Sequence, residues 1–174
     1  MGYWIKGTVT GEATATLELN VSYSHLVAAD EAFNGADADD VDPYDAMNYL
    51  DDEGLLAAQF GGAYEEIMEE LRGNCCGCVD VSERGSGMVE VEVSVCVEIE
   101  RTFDFETRFH EKITCWEYAF QREFDVRISV KECRKELNDL GLGRGVSCDK
   151  CSSFIDSAEF DCEGEDGQTY SLGF

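Results

Sequence analysis

In 174 residues, 38 acids face 13 bases for a net charge of −25 at neutral pH, and 44% of the side chains are apolar. That apolar share is the ordinary globular level, which excludes a disordered acidic tail, and a chain of this length can bury a core without disulfides or a metal. No apolar run approaches the roughly 18 residues that span a bilayer, and the start Met1-Gly2-Tyr3-Trp4-Ile5-Lys6 lacks the basic-then-apolar layout of a secretory signal, so a soluble, cytoplasmic protein is expected.

Tyr3–Val9 and Ala13–Tyr23 read as two strands about a Thr10-Gly11 turn. In the second, Ala13, Ala15, Leu17, Leu19, Val21 and Tyr23 alternate with polar residues, the period of a half-buried strand. The acidic, alanine-rich stretch from Asp30 to Val41 has little periodicity and reads as a loop. Asp42-Pro43 then has the form of a helix start, with Asp as N-cap and Pro in the first turn, and Gly54 as the stop. A short apolar piece, Leu55–Phe60, leads to a Gly61-Gly62 break. Beyond it Tyr64, Ile67, Met68 and Leu71 fall at i, i+3, i+4 and i+7, an amphipathic helix that Gly73 closes.

Val89 to Ile99 alternates strictly, and Phe103, Phe105 and Phe109 keep the same parity. A straight strand over 88–109 would run roughly 70 Å, so a bend, bulge or turn is expected near Arg101. Val91, Val93, Val95 and Val97 are the expected core row. A further strand is expected through Phe124, Val126, Ile128 and Val130, then a short helix from Lys131 to Leu140, a glycine-rich linker, and a terminal hairpin turning at Asp166-Gly167. The expected fold is α+β: an antiparallel sheet with two or three short helices on one face and a small C-terminal hairpin. The expected division is a main domain over residues 1–145 and a Cys-x-x-Cys knuckle with its hairpin over 146–174, packed on or appended to it.

Nine scattered cysteines, Cys96 and Cys133 among them at apparent strand positions, fit reduced thiols in a reducing compartment better than a secreted disulfide framework. Two Cys-x-x-Cys turns can present four thiolates to one tetrahedral ion. Cys75, Cys78, Cys148 and Cys151 are therefore the candidate ligands of a structural zinc, with Cys162 as a spare, in a layout that faintly resembles a zinc ribbon. The 69 residues between the pairs are far more than a compact ribbon has, and unligated loop thiols are the competing reading. Neither pair lies in the strand-to-helix setting of a redox motif. His25 and His110 stand in no catalytic signature, and no phosphate loop, nucleophile elbow or dinucleotide fingerprint is present, so no catalytic residue is assigned and a non-enzymatic role is expected. Asp37, Asp39, Asp40 and Asp42 lack the Gly and bidentate Glu of a calcium loop.

The acids are unevenly placed. From Gly7 to Leu71 there is no Lys or Arg, while sixteen Asp and Glu residues fall in those 65 positions. Direct binding of nucleic acid depends on Lys and Arg and is excluded on this balance; a basic protein partner is the electrostatic complement. The candidate partner-binding residues are Asp37, Asp39 and Asp40, the helix acids Glu65, Glu66, Glu69 and Glu70, and the strand acids Glu90, Glu92, Glu98 and Glu100. Acids at i, i+2 on one strand face lie roughly 6.6 Å apart, comparable with the step between successive phosphates. In charge and size the chain resembles the acidic nucleic-acid mimics that phages and plasmids deploy against restriction or CRISPR enzymes. The resemblance implies an inhibitor that occupies a basic nucleic-acid channel. The alternative is a zinc-stabilised structural or adaptor protein of a virus or mobile element, whose acidity only confers solubility.

Overall fold

The computed structural model describes residues 2–113 and 128–173. Its sheet is antiparallel and five-stranded: β1 (Tyr3–Ala28), β2 (Val79–Gly85), β3 (Met88–Ile113), β4 (Val146–Gly164) and β5 (Thr169–Gly173), in the order β2-β3-β1-β4-β5. Short helices complete the α+β fold: α1 (Ala29–Ala32), α2 (Pro43–Asp52), α3 (Leu55–Phe60), α4 (Tyr64–Gly73), α5 (Cys75–Cys78) and α6 (Val130–Asn138). Among the described residues no helix is long and apolar enough to cross a membrane.

Alternation decides the faces. Val91, Val93, Val95 and Val97 are buried while Glu92, Ser94, Cys96 and Glu98 between them are exposed, so β3 has one face in the core and one in water. The odd positions of β1 do the same from Ile5 to Val27. The Thr10-Gly11 turn is not formed; β1 runs through it without a break. A Cβ on Gly7 would lie 2.0 Å from the Asp161 carbonyl oxygen, and one on Gly11 2.0 Å from that of Ser157. These two glycines admit the backbone of β4 to the inward side of β1, so they mark a close approach of two strands rather than a reversal. No turn interrupts β3 near Arg101 either.

Local chemistry sets the helix ends. Asp42 Oδ1 accepts the Tyr44 N–H at 2.8 Å with Pro43 in the first turn, and Gly54 leaves the helix at φ +71°. The apolar piece Leu55–Phe60 is itself a helix, and part of the expected 30–41 loop is taken by α1 and a 3-10 turn at Ala38–Asp40. Ser129 and Glu132 form a reciprocal capping box: the Ser129 N–H donates to Glu132 Oε2 at 2.9 Å and the Glu132 N–H to Ser129 Oγ at 3.2 Å. That box starts α6 at Val130, which the sequence pattern assigned to a strand, and Cys133 is a buried helical residue rather than a strand end. Positions 124–127 of that expected strand lie outside the described residues.

The chain divides into two compact units, each discontinuous in sequence. The hairpin unit comprises 1–16, 100–136 and 151–174; the helical unit comprises 17–99 and 137–150. In the hairpin unit β4 contributes Ala158 and Phe160 to the same core as Ile5, Val9, Phe103, Phe105 and Cys133. In the helical unit Met47, Leu50, Leu56, Phe60, Ile67, Met68 and Leu71 are fully buried, and α2 packs on β2, α3 and α5. The terminal hairpin is present, with Glu159 opposite Gly173 and Glu163 opposite Thr169.

The two faces of β3 predict opposite responses to charge. Val93→Asp places an unpaired carboxylate in the core and costs several kcal/mol, enough to unfold the domain. Glu92 lies directly opposite Asp80 on β2, so Glu92→Lys converts a like-charge pair into an ion pair and raises stability by about 0.5 kcal/mol. Thermal melts of the two variants against the parent check both signs.

Candidate functional site

Acid collects in one unit. The helical unit holds 22 acids and four bases, a net −18, while the hairpin unit holds 16 acids and nine bases, a net −7. Three of those four bases are already committed to acids: Arg72 lies 3.6 Å from Asp51, Arg84 pairs with Glu90, and Lys150 lies 3.2 Å from Glu18.

Within the helical unit, α4 carries Glu65, Glu69 and Glu70 exposed and Glu66 half-buried, because Ile67, Met68 and Leu71 take the opposite side to the core. Glu65 and Glu69, and likewise Glu66 and Glu70, are like charges at i,i+4, an arrangement that weakens a helix. Asp51 also accepts the Tyr64 hydroxyl at 2.6 Å, a hydrogen bond that raises the Tyr64 pKa. Asp37, Asp39 and Asp40 are exposed around the short 3-10 turn, whose Ala38 is buried.

The strand acids are less uniform than their spacing implied. Glu92 and Glu98 are exposed on β3, but Glu90 is half-buried and receives the Arg84 guanidinium, Nε to Oε2 at 2.6 Å. Glu100, also exposed, belongs to the hairpin unit. Sequence reasoning did not include Asp80, which the β2–β3 register sets opposite Glu92. It also omitted Glu18 on β1, which meets Lys150 and accepts from the Cys96 thiol at 3.8 Å. Partial desolvation by its neighbours on the sheet surface, and then Glu18, push the Cys96 thiol above its ordinary pKa. Asp149 and Lys150 are both exposed where the alternation of β4 slips by one residue, which turns both side chains to the polar side of the sheet. There Asp149 accepts from Asn20 at 2.7 Å.

The cysteine pairs are not brought together. Cys75 and Cys78 are buried in α5, and burial raises both thiol pKa values. Cys148 and Cys151 lie half-buried on β4, and Cys162 is buried there, its thiol also pushed up by burial. Among the described residues no three His, Cys, Asp or Glu side chains are placed to hold an ion. The sites of the histidines are equally plain: His25 lies 3.4 Å from the Tyr23 hydroxyl, and His110 stacks on Trp4.

No family model, curated protein or solved structure matches this chain.

The hairpin unit holds a second cluster at the β4–β5 turn. Asp166 accepts the Tyr170 hydroxyl at 2.6 Å and the Gln168 N–H at 3.0 Å, while its own N–H donates to the Tyr3 hydroxyl at 2.6 Å. The hydrogen bond to Asp166 pushes the Tyr170 phenol up to about 12, and in return the Asp166 carboxyl is lowered. A raised phenol stabilises the fold fully below its ordinary pKa of 10.0 and loses that contribution as pH climbs through about 12. The lowered carboxyl contributes above its ordinary range and loses its share as pH falls. Tyrosinate absorbance followed to alkaline pH should show a last phenol titrating near about 12, after the other raised tyrosines, that disappears in Tyr170→Phe. Zinc analysis of purified protein should find no stoichiometric metal, and a chelator should leave the melting temperature unchanged.

Proposed function

We propose that this protein is a non-enzymatic inhibitor that presents its acidic helical unit to a basic, nucleic-acid-binding enzyme and occupies the groove that would hold nucleic acid. Such a protein suits a phage or mobile element acting in the cytoplasm against a restriction or CRISPR enzyme. The observation that carries the reading is the concentration of charge: 22 acids against four bases in one compact unit, three of those bases already paired. Solubility alone is served by interspersed signs. Here like charges stand at i,i+4 along α4 and directly opposite each other at Asp80 and Glu92, arrangements that oppose folding and have no structural return. A cationic groove supplies the missing counter-charge.

Between the two candidate surfaces, α4 is the better anionic face. Its exposed glutamates are not matched by a base of their own helix, since Arg72 reaches Asp51, whereas the β3 ladder has Glu90 engaged by Arg84 and Glu100 in the other unit. The alternative, a zinc-stabilised adaptor, needs thiols grouped around an ion, and among the described residues the cysteines are not so grouped.

The test neutralises each surface by Glu→Gln: Glu65, Glu66, Glu69 and Glu70 in one variant, and Glu90, Glu92, Glu98 and Glu100 in another. Binding to the enzyme, and competition with its nucleic acid, are measured at rising salt after folding is confirmed by circular dichroism. Exposed charges act mostly on association rate, so single changes are mild. The α4 quadruple variant should lose competition, and the parent complex should weaken steeply as the screening length falls from about 10 Å at 0.1 M salt to about 3 Å at 1 M. If both quadruple variants compete like the parent, occlusion by charge is wrong and an apolar interface replaces it.

A further inference from the structure

Trp4 occupies a position where the pattern of β1 demands a polar residue. Even-numbered positions of that strand face water, and Trp4 is 43% exposed there. Its indole stacks on the His110 imidazole with centroids 4.6 Å apart and planes 28° from parallel, and Lys112 Nζ lies 5.9 Å from the ring centroid. Beside the ring is a cavity of about 300 Å³, walled by Trp4, Ile5 and Lys6 of β1, by His110 of β3, and by Glu163 and Glu165 at the end of β4. Glu165 Oε1 accepts the backbone N–H of Trp4 at 3.1 Å. The turn is tied to β1: Tyr3 takes the Asp166 N–H, and a Cβ on Gly164 would meet the Tyr3 hydroxyl at 2.5 Å, so a larger residue there would displace the Tyr3 ring.

The chain's own cations already show what the cavity attracts. The Lys6 ammonium lies 3.5 Å from Glu163 on a side chain 67% exposed, and the Lys112 ammonium sits by the indole. Both are flexible point charges, loosely held. We propose that this cavity receives an arginine side chain of the basic partner, its guanidinium lying flat on the Trp4 ring and forking onto Glu163 or Glu165 in place of Lys6. The inference rests on the partner being basic, as proposed above, and adds where a single residue of it docks. A planar guanidinium stacks on an indole and bonds a carboxylate through two N–H groups, which a lysine does not do. Its size also fits, since the cavity stands at the lower end of ligand sites, suited to one side chain. A nucleotide stacked on the same ring would bring its phosphate against two carboxylates and the field of a chain of charge −25. Tryptophan in a pocket of this kind is the residue type that dominates interface energies.

The full chain is titrated with a capped tri-arginine peptide, a capped tri-lysine peptide and adenosine monophosphate. The readout is the indole N–H resonance of Trp4, assigned by its loss in Trp4→Phe. The arginine peptide should shift that resonance saturably and bind several-fold tighter than the lysine peptide. Trp4→Ala, and separately the double variant Glu163→Gln with Glu165→Gln, should each weaken binding about tenfold by calorimetry. Both glutamates are exposed, so the double variant keeps the test alive if Trp4→Ala does not fold. An unmoved Trp4 signal, equal response to the two peptides, parent-like binding by the double variant, or a larger response to the nucleotide overturns the proposal. No enzyme enters this titration, so its failure is separable from failure of the occlusion test, which changes none of the residues lining this cavity.

Discussion

Burying the odd-numbered rows of β1 and β3 commits every even-numbered side chain of those strands to the opposite face. With a period of two there is no intermediate arrangement: a slip of one residue would send Glu92 and Glu98 into the core and Val93 and Val97 into water. The register is therefore held by the core, and the anionic face inherits its positions from that register. Helix α4 repeats the logic at a different period, since Ile67, Met68 and Leu71 turn inward and leave the glutamates no other place to go.

This explains which parts of the molecule were legible beforehand. The alternation of Val89–Ile99, the cap at Asp42-Pro43 and the terminal hairpin each depend on neighbours in sequence, and each stands as read. Gly11 was misread because a glycine after threonine signals a turn, while its actual role is to admit the Ser157 carbonyl, a fact of tertiary structure. Strand β2 escaped notice because Val79–Gly85 is short and polar beyond Val81, and its pairing with β3 outweighs its weak propensity. Cysteine spacing was the least informative signal: Cys75 and Cys78 are three apart because three residues bring a helix side chain back to the same buried side.

The acids themselves were visible in sequence, but their grouping was not. A count by sequence divides them at Leu71, whereas the structure gathers 17–99 with 137–150, and only that grouping yields a unit of net −18. It also adds Glu18, Asp80 and Asp149 to the strand acids, residues whose neighbours in space come from other strands. Trp4 carried a readable sign in its parity, an aromatic in the solvated row of a strand, although only the folded turn supplies the carboxylates beside it.

Consider last the pair Asp80 and Glu92, two carboxylates held opposite each other by the backbone. Their repulsion is a load that mobile ions relieve, so added salt tightens the fold of the helical unit. The same ions loosen its grip on any cationic partner. Under the proposed function, fold and binding would respond to ionic strength with opposite signs, and the basic groove would play the part of a dense, ordered counterion atmosphere. In the proposed complex, association would stabilise the helical unit by mass action.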